Sequence, residues 1–330
     1  MLLAPPPNCA TGTLAPFVPS SGRPWNRIRA QHLHRRLGFS ARPATIDQAL
    51  ASSPTDWVDQ LLDQAVAAPN LPQPEWHDWT INDYGEDFAA QSSAQFIEYA
   101  QLWANAMLEH GAKEKITLFW HNHFVTRAED YFCPSYLYAY LQLLQTHALG
   151  NFRTMVYEMG KNPAMLIYLN GVQNTRIEPN ENYARELFEL FTLGRDSGYT
   201  QQDIQEAARA LTGWNGFSVA CAPIGYVDFL HDNGSKTIFG QTGNWDYDQL
   251  HDILFTERAQ EIATYICGKI YRHFVHPLAP EAIVAELAQT FIDNNWELLP
   301  VFRQLFRSEH FFDEEVIGVQ IKSPLDMMLG

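Results

Sequence analysis

The stretch TLFWHNHFVT at residues 117–126 places two histidines one residue apart, and their imidazoles are the first groups with metal-binding chemistry. Neutral His121 and His123 suit a zinc-like divalent ion. Residues two apart on a helix point about 200° from each other, so both meet one ion only if the helix breaks near Trp120. Phased as a helix over 113–124, Ile116, Phe119, Trp120 and Phe124 share an apolar side, His123 falls among them and His121 does not. The plainer role for His123 is a buried neutral imidazole bonded to a carbonyl.

A second group of candidates lies on the segment 179–194, PNENYARELFELFTLG. Asn180 can cap its first turn and Gly194 can end its last. Tyr183, Ala184, Leu187, Phe188, Leu190 and Phe191 fall on one arc, and Glu181, Asn182, Arg185, Glu186 and Glu189 on the other. Glu181, Arg185 and Glu189 form a ladder four apart. The polar arc is either solvated surface or the lining of a cavity. In a cavity, Arg185 would orient Glu181 or Glu189 and lower its pKa, and Glu186 would act as base or ligand. HDNGSK at 231–236 adds His231, Asp232 and Lys236 on an expected turn, where function often sits. The structural alternative is Asp232 and Asn233 bonding their own backbone.

Apolar residues recur every three or four positions over 45–51, 54–68, 93–110, 134–149, 200–214 and most of 247–306. The fold class expected is all-α, a multi-helical single globular domain over residues 25–330. One insert near 217–240, β-branched and glycine-containing, reads as a small β-hairpin turning at D-N-G-S, or as an ordered loop. Residues 1–24 read as a disordered Pro-rich tail without an export signal. Residues 71–87 read as a surface loop whose aromatics, in EWHDWTINDY, offer a contact surface.

With 22 Lys and Arg against 38 Asp and Glu, the formal charge is −16, which repels phosphate backbones and excludes nucleic acid as the expected partner. The basic run RIRAQHLHRR at 27–36 is a local anion site or, more simply, a solvated face. No stretch has the ~18 uninterrupted apolar residues of a membrane span. The four cysteines, Cys9, Cys133, Cys221 and Cys267, suggest neither a disulfide framework nor a zinc site. No H-E-x-x-H, G-x-S-x-G, P-loop, Rossmann fingerprint or EF-hand occurs, which removes the common hydrolase, nucleotide and calcium readings.

The motifs HRRLGFS (34–40), LFWHNHFVT (118–126), NPAMLIYLNGVQN (162–174), NENYARELFELFTLG (180–194), YTQQDIQEAARALTGW (199–214), HDNGSKTIFG (231–240) and KSPLDMMLG (322–330) follow one order along the chain. In that order the chain resembles the bacterial family designated domain of unknown function 1800. The resemblance implies a mostly helical fold without supplying an activity. It also implies frequent export, and a partner protein related to sulfatases and phosphatases encoded nearby. YLNG at 168–171 stands where the family more usually has an Asp-Asn pair, and at Gly330 the family pattern goes on with further helix. Polar residues within the motifs gain functional weight from the resemblance, Asn180, Arg209, Trp214 and Lys236 as substrate contacts among them.

The reading that unites these residues is a polar pocket holding one divalent metal ion between His121, His123, His231 and Asp232. The metal would acidify a bound water, and the reaction would be hydrolysis. Glu186, Glu181 and Arg185 would be catalytic, with Arg185 or Lys236 holding an anionic group. The rival reading is a non-catalytic binding or structural module acting with a partner protein or an extracellular polymer. Neither reading sets an oligomeric state.

Overall fold

Helix starts follow from local chemistry. Side-chain oxygens of Asn26, Ser53, Asp87, Asn151, Thr200 and Asp246 each accept a first-turn N–H, and prolines open the helices at 43, 54, 134 and 163, where a missing N–H costs nothing. The computed structural model describes residues 12–216 and 220–329. The helices in order are α1 (Arg27–Leu37), α2 (Pro43–Leu50), α3 (Pro54–Ala67), α4 (Phe88–Glu109), α5 (Gly111–His123), α6 (Ala128–Tyr131), α7 (Pro134–His147) and α8 (Phe152–Met159). The chain continues with α9 (Pro163–Tyr168), α10 (Asn182–Glu186), α11 (Gln201–Ala210), α12 (Tyr247–Glu257), α13 (Ala259–Phe274), α14 (Glu281–Asp293), α15 (Leu298–Arg307) and α16 (Pro324–Leu329). Among the described residues the fold is mostly helical, as the periodicity predicts, and no helix is long and apolar enough to cross a membrane.

Helix α5 runs through the centre, packed on α1, α3, α4 and α7, with Ile116 and Trp120 fully buried. Its burial extends to charge: Lys113, Glu114 and Lys115 are all enclosed. Lys113 donates at 2.7 Å to the carbonyl of Ala68, which ends α3, and Glu114 accepts from Trp103 and Gln145 at 2.7 Å each. The second half of the core joins α13 to α14 and α14 to α15 through Phe274, Phe291, Phe302 and Phe306. Each such fully buried apolar side chain contributes about 1.5–3 kcal/mol relative to exposure.

Among the described residues the strands are four short pieces in two antiparallel pairs, β1 (Trp214–Asn215) with β2 (Gly225–Tyr226) and β3 (Lys236–Ile238) with β4 (Gln241–Gly243). The expected insert is present, with residues 217–219 outside the described residues, but the hairpin turn is not at D-N-G-S. It falls at Phe239 and Gly240, both with positive φ (48° and 80°), the two-residue geometry that matches strand twist. The D-N-G-S stretch is instead a local turn, Gly234 N–H donating to Asp232 Oδ1 at 2.8 Å.

Four further expectations are corrected. Residues 12–24 are anchored to the domain at two points: Leu14 and Phe17 are buried, Phe17 N–H donates to Arg307 O at 2.7 Å, and Phe17 lies against Phe312, while most of the remaining residues are exposed. Residues 1–11 lie outside the described residues. The aromatics of the 71–87 loop face inward, Trp76 edge-on to Tyr99 and Trp79 edge-on to Tyr84, because apolar rings on a surface loop are better buried beneath it. The basic run is a solvated face only in part: Arg27 and Arg35 are exposed, but Arg29 bonds the carbonyls of Phe312 and Pro24 and Arg36 those of Phe274 and His273, so α1 also fastens distant chain segments.

The last correction is a disulfide between Cys133 and Cys221, 88 residues apart, which ties the insert to the start of α7 beside a bond from Tyr136 Oη to Ala222 O at 2.5 Å. Sequence spacing could not reveal it, because the pairing is made by the fold. Closing so long a loop stabilises by about 4.6 kcal/mol in the chain-entropy account, so a Cys133→Ala/Cys221→Ala variant is expected to melt about 7 °C lower by calorimetry. An unchanged melting temperature would show that the bond constrains nothing in the unfolded chain.

Candidate functional site

Helix α5 continues to His123 without a break, so the two histidines diverge. His123 is buried among Phe119, Trp120, Phe124, Phe152 and Phe191, with Nε2 3.1 Å from the carbonyl oxygen of Phe191. That is the neutral, carbonyl-bonded imidazole expected as the plainer role. Burial, reinforced by the Lys269 charge, holds its pKa well below the usual value. His121 turns the other way, Nδ1 3.0 Å from Tyr140 Oη and its ring edge-on to Trp103, and burial lowers its pKa too.

The 180s helix departs from the expected single helix in one respect. After α10 the segment 187–192 winds as a π-turn, Thr192 Oγ1 donating to Leu187 O, before Gly194 (φ 85°) ends it. The wider turn carries one extra residue, so Leu190 rotates out to 38% exposure while Thr192 rotates into the core. Asn180 caps as expected, its Oδ1 accepting from Asn182 N–H, and its own N–H donates to Asn174 Oδ1. Arg185 is shared by Glu181 (2.8 Å), Glu189 (3.5 Å) and Gln201 (3.0 Å), and Arg195 reaches the other Glu189 oxygen at 3.3 Å. Glu186 stands beside this ladder with its carboxyl pushed up by burial and by the Glu189 charge.

The third motif closes a network of its own. Arg209 of α11 grips Asp232 through Nε at 2.7 Å and Nη2 at 3.2 Å, and also bonds Glu206 and Ser235 O. The guanidinium beside Asp232 holds that carboxyl below its ordinary range. His231 Nδ1 lies 3.1 Å from Thr212 Oγ1 and 3.0 Å from Thr212 O. Lys236, almost wholly buried, donates to the carbonyls of Asp232 and Gly234, and burial lowers its pKa. Trp214 stands in β1 with its ring against Tyr226 and Tyr247.

These placements separate the residues read as one pocket. HNHF and the 180s segment meet, but through the Phe191 carbonyl rather than through the polar arc. Among the described residues His121 and Asp232 share no bonded partner, and α5 packs mainly on α1, α3, α4 and α7 whereas α11 packs mainly on α10, α12 and β3. Among the described residues no group of three or more His, Cys, Asp or Glu could hold a metal ion. The physical reason is that the donors already serve other groups: carbonyls and hydroxyls for the imidazoles, Arg209 for Asp232.

A different polar concavity is present, of about 560 Å³, between α6, α9, the turn 171–173 and β1. Arg127 and Asp130 form its charged edge, a two-pronged pair at 2.9 and 2.7 Å in which each lowers the other's tendency to neutralise. Tyr168, Asn170, Gln173 and Asn215 supply the rest of its polar lining. Asn170 is left-handed at φ 58°, a conformation that asparagine tolerates better than most residues and that aims the turn. The floor is firm: Asn174 Nδ2 donates to Ala208 O at 2.8 Å, and Gly213 N–H donates to Asn174 O at 3.2 Å, which docks the turn on β1. The sequence signal for this site is the amide run NGVQN at 170–174.

None of the curated proteins and none of the solved structures matches the chain. The family model described as Protein of unknown function (DUF1800) matches residues 32–330, nearly the whole chain, and the chain belongs to that family.

Proposed function

We propose that this chain is a binding module for a hydroxyl-rich polymer, a glycan, held in the concavity lined by Arg127, Asp130, Tyr168, Asn170, Gln173 and Asn215. One observation carries the reading. The motif histidines spend their bonds on hydroxyls and carbonyls, and Glu181, Glu189 and Asp232 spend theirs on arginines, whereas the side chains of Tyr168, Asn170, Gln173 and Asn215 make no hydrogen bond among the described residues. Each sugar hydroxyl both donates and accepts, and a carboxamide does the same through adjacent atoms. The planar Arg127–Asp130 pair adds a donor edge beside an acceptor edge, and the Tyr168 ring is a platform for the apolar face of a sugar. A volume of about 560 Å³ suits a short oligosaccharide segment.

The Cys133–Cys221 bond supports a polymer met outside reducing compartments. A partner related to sulfatases or phosphatases, which the family resemblance implies, would then act on the polymer this chain holds. Metal-dependent hydrolysis is the weaker reading, since His121, His123, His231 and Asp232 are bonded in separate places.

Affinity electrophoresis through gels containing soluble neutral and acidic polysaccharides tests the proposal. At least one polysaccharide is expected to retard the wild type. Losing one amide contact costs about 1 kcal/mol, so an Asn170→Ala/Asn215→Ala variant is expected to bind about tenfold or more weakly. Absence of retardation across the panel, or retardation that the double variant keeps, overturns the glycan reading.

A further inference from the structure

Just after α8, the ammonium of Lys161 is enclosed by aromatic rings from three elements. Its Nζ lies 3.7 Å from the ring centre of Tyr157, 4.6 Å from that of Tyr247 and 6.0 Å from that of Trp214. Asp248 closes the fourth side, its Oδ1 3.7 Å from Nζ. Three ring faces and a carboxylate around one cation are the composition that recognises quaternary and methylated ammonium groups.

The walls are fastened to one another by hydrogen bonds and ring contacts. Tyr247 Oη donates to Tyr157 O at 2.6 Å, Tyr157 Oη donates to Asp248 Oδ1 at 2.7 Å, and the His251 ring backs both tyrosines at 4.4 and 5.4 Å. Gly160 lets this cluster close up, since a Cβ there would fall 2.2 Å from Tyr247 Oη and 2.3 Å from Tyr183 Oη. Lys161, by contrast, hangs on a flexible stem with about 31% of its side chain exposed, and of its three donors one is used, toward Tyr157 Oη. A primary ammonium loses strong hydration when it lies against ring faces. A trimethylammonium group has no N–H to satisfy and spreads its charge over methyl groups that pack on the same faces.

We propose that Tyr157, Trp214, Tyr247 and Asp248 form a binding site for a methylated ammonium ligand of the choline or trimethyl-lysine type, and that Lys161 occupies it as a displaceable internal stand-in. The charge of −16 favours a cation over the whole surface. The site stands independently of the glycan cleft, although Trp214 and Asn215 are neighbours in β1.

Isothermal titration of the full chain with tetramethylammonium chloride, against matched sodium chloride, tests this. Emptying the cage with Lys161→Ala is expected to tighten binding at least tenfold over wild type. In that background Tyr157→Leu is expected to weaken it at least tenfold, and Asp248→Asn, a change at an exposed carboxylate that leaves the core alone, several-fold. A folded Lys161→Ala protein that binds no tighter than wild type overturns the proposal. So does binding that neither Tyr157→Leu nor Asp248→Asn reduces.

Discussion

Lowering the pH from 7 to 5 is expected to remove about 7 kcal/mol of folding stability, enough to unfold a domain of ordinary stability. The cause is a set of histidines buried in the neutral form. Burial holds His32 at about 3 and His34, His251 and His273 at about 4, against 6.5 when the chain is unfolded. Arg36 adds to the burial effect on His32, and Lys115 and Arg36 to that on His273. Their folded pKa values are depressed, so the unfolded chain binds more protons below 6.5. The stability these rings contribute is complete above that pH and drains away as pH falls toward about 4. Each contributes a little under 2 kcal/mol to the change between pH 7 and 5, from the linkage relation. His121 and His123 shift in the same direction and steepen the fall. Urea unfolding followed by circular dichroism at pH 7, 6 and 5 checks this. A midpoint that stays level across that range would mean the rings are charged in the folded protein.

Glu114→Ala is expected to cost about 3–5 kcal/mol, the largest effect of a single substitution, because it removes one member of a buried charged cluster. Glu114 is fully enclosed, accepting from the Trp103 indole and the Gln145 amide, next to the buried Lys113 ammonium. Without the carboxylate two donors lose their acceptor and Lys113 loses its neighbouring countercharge. Glu114→Gln keeps one of the two acceptor oxygens and leaves the other donor facing an amide NH2, so it is expected to cost less than the alanine, about 1–3 kcal/mol. Burial pushes the Glu114 carboxyl up, so its own contribution falls as pH rises through that raised value, opposite in sign to the histidines. Denaturant midpoints of the two variants at pH 7 separate these outcomes. Equal losses for alanine and glutamine would place the cost in charge rather than in hydrogen bonds.

The caps and periodicities that start and phase a helix act within a few residues, so α3, α7, α11 and the run from α12 to α15 are legible in the chain, as is the inward phase of His123 on α5. So is the family, because its motifs are ordered and long. What spacing cannot express is which segments come to lie together. The pairing of Cys133 with Cys221, the clasp of Arg29 on Phe312 and the burial of Lys113, Glu114 and Lys115 are contacts between residues far apart in sequence. The same limit governs the site. Local charge patterns correctly marked Arg185 with Glu181, and the turn bond within D-N-G-S, but nothing local shows that Arg209 consumes Asp232 or that a carbonyl consumes His123. Helix phase and capping are decided by the nearest neighbours along the chain; a polar group's availability for chemistry is decided by what packs against it, and that only the tertiary structure sets.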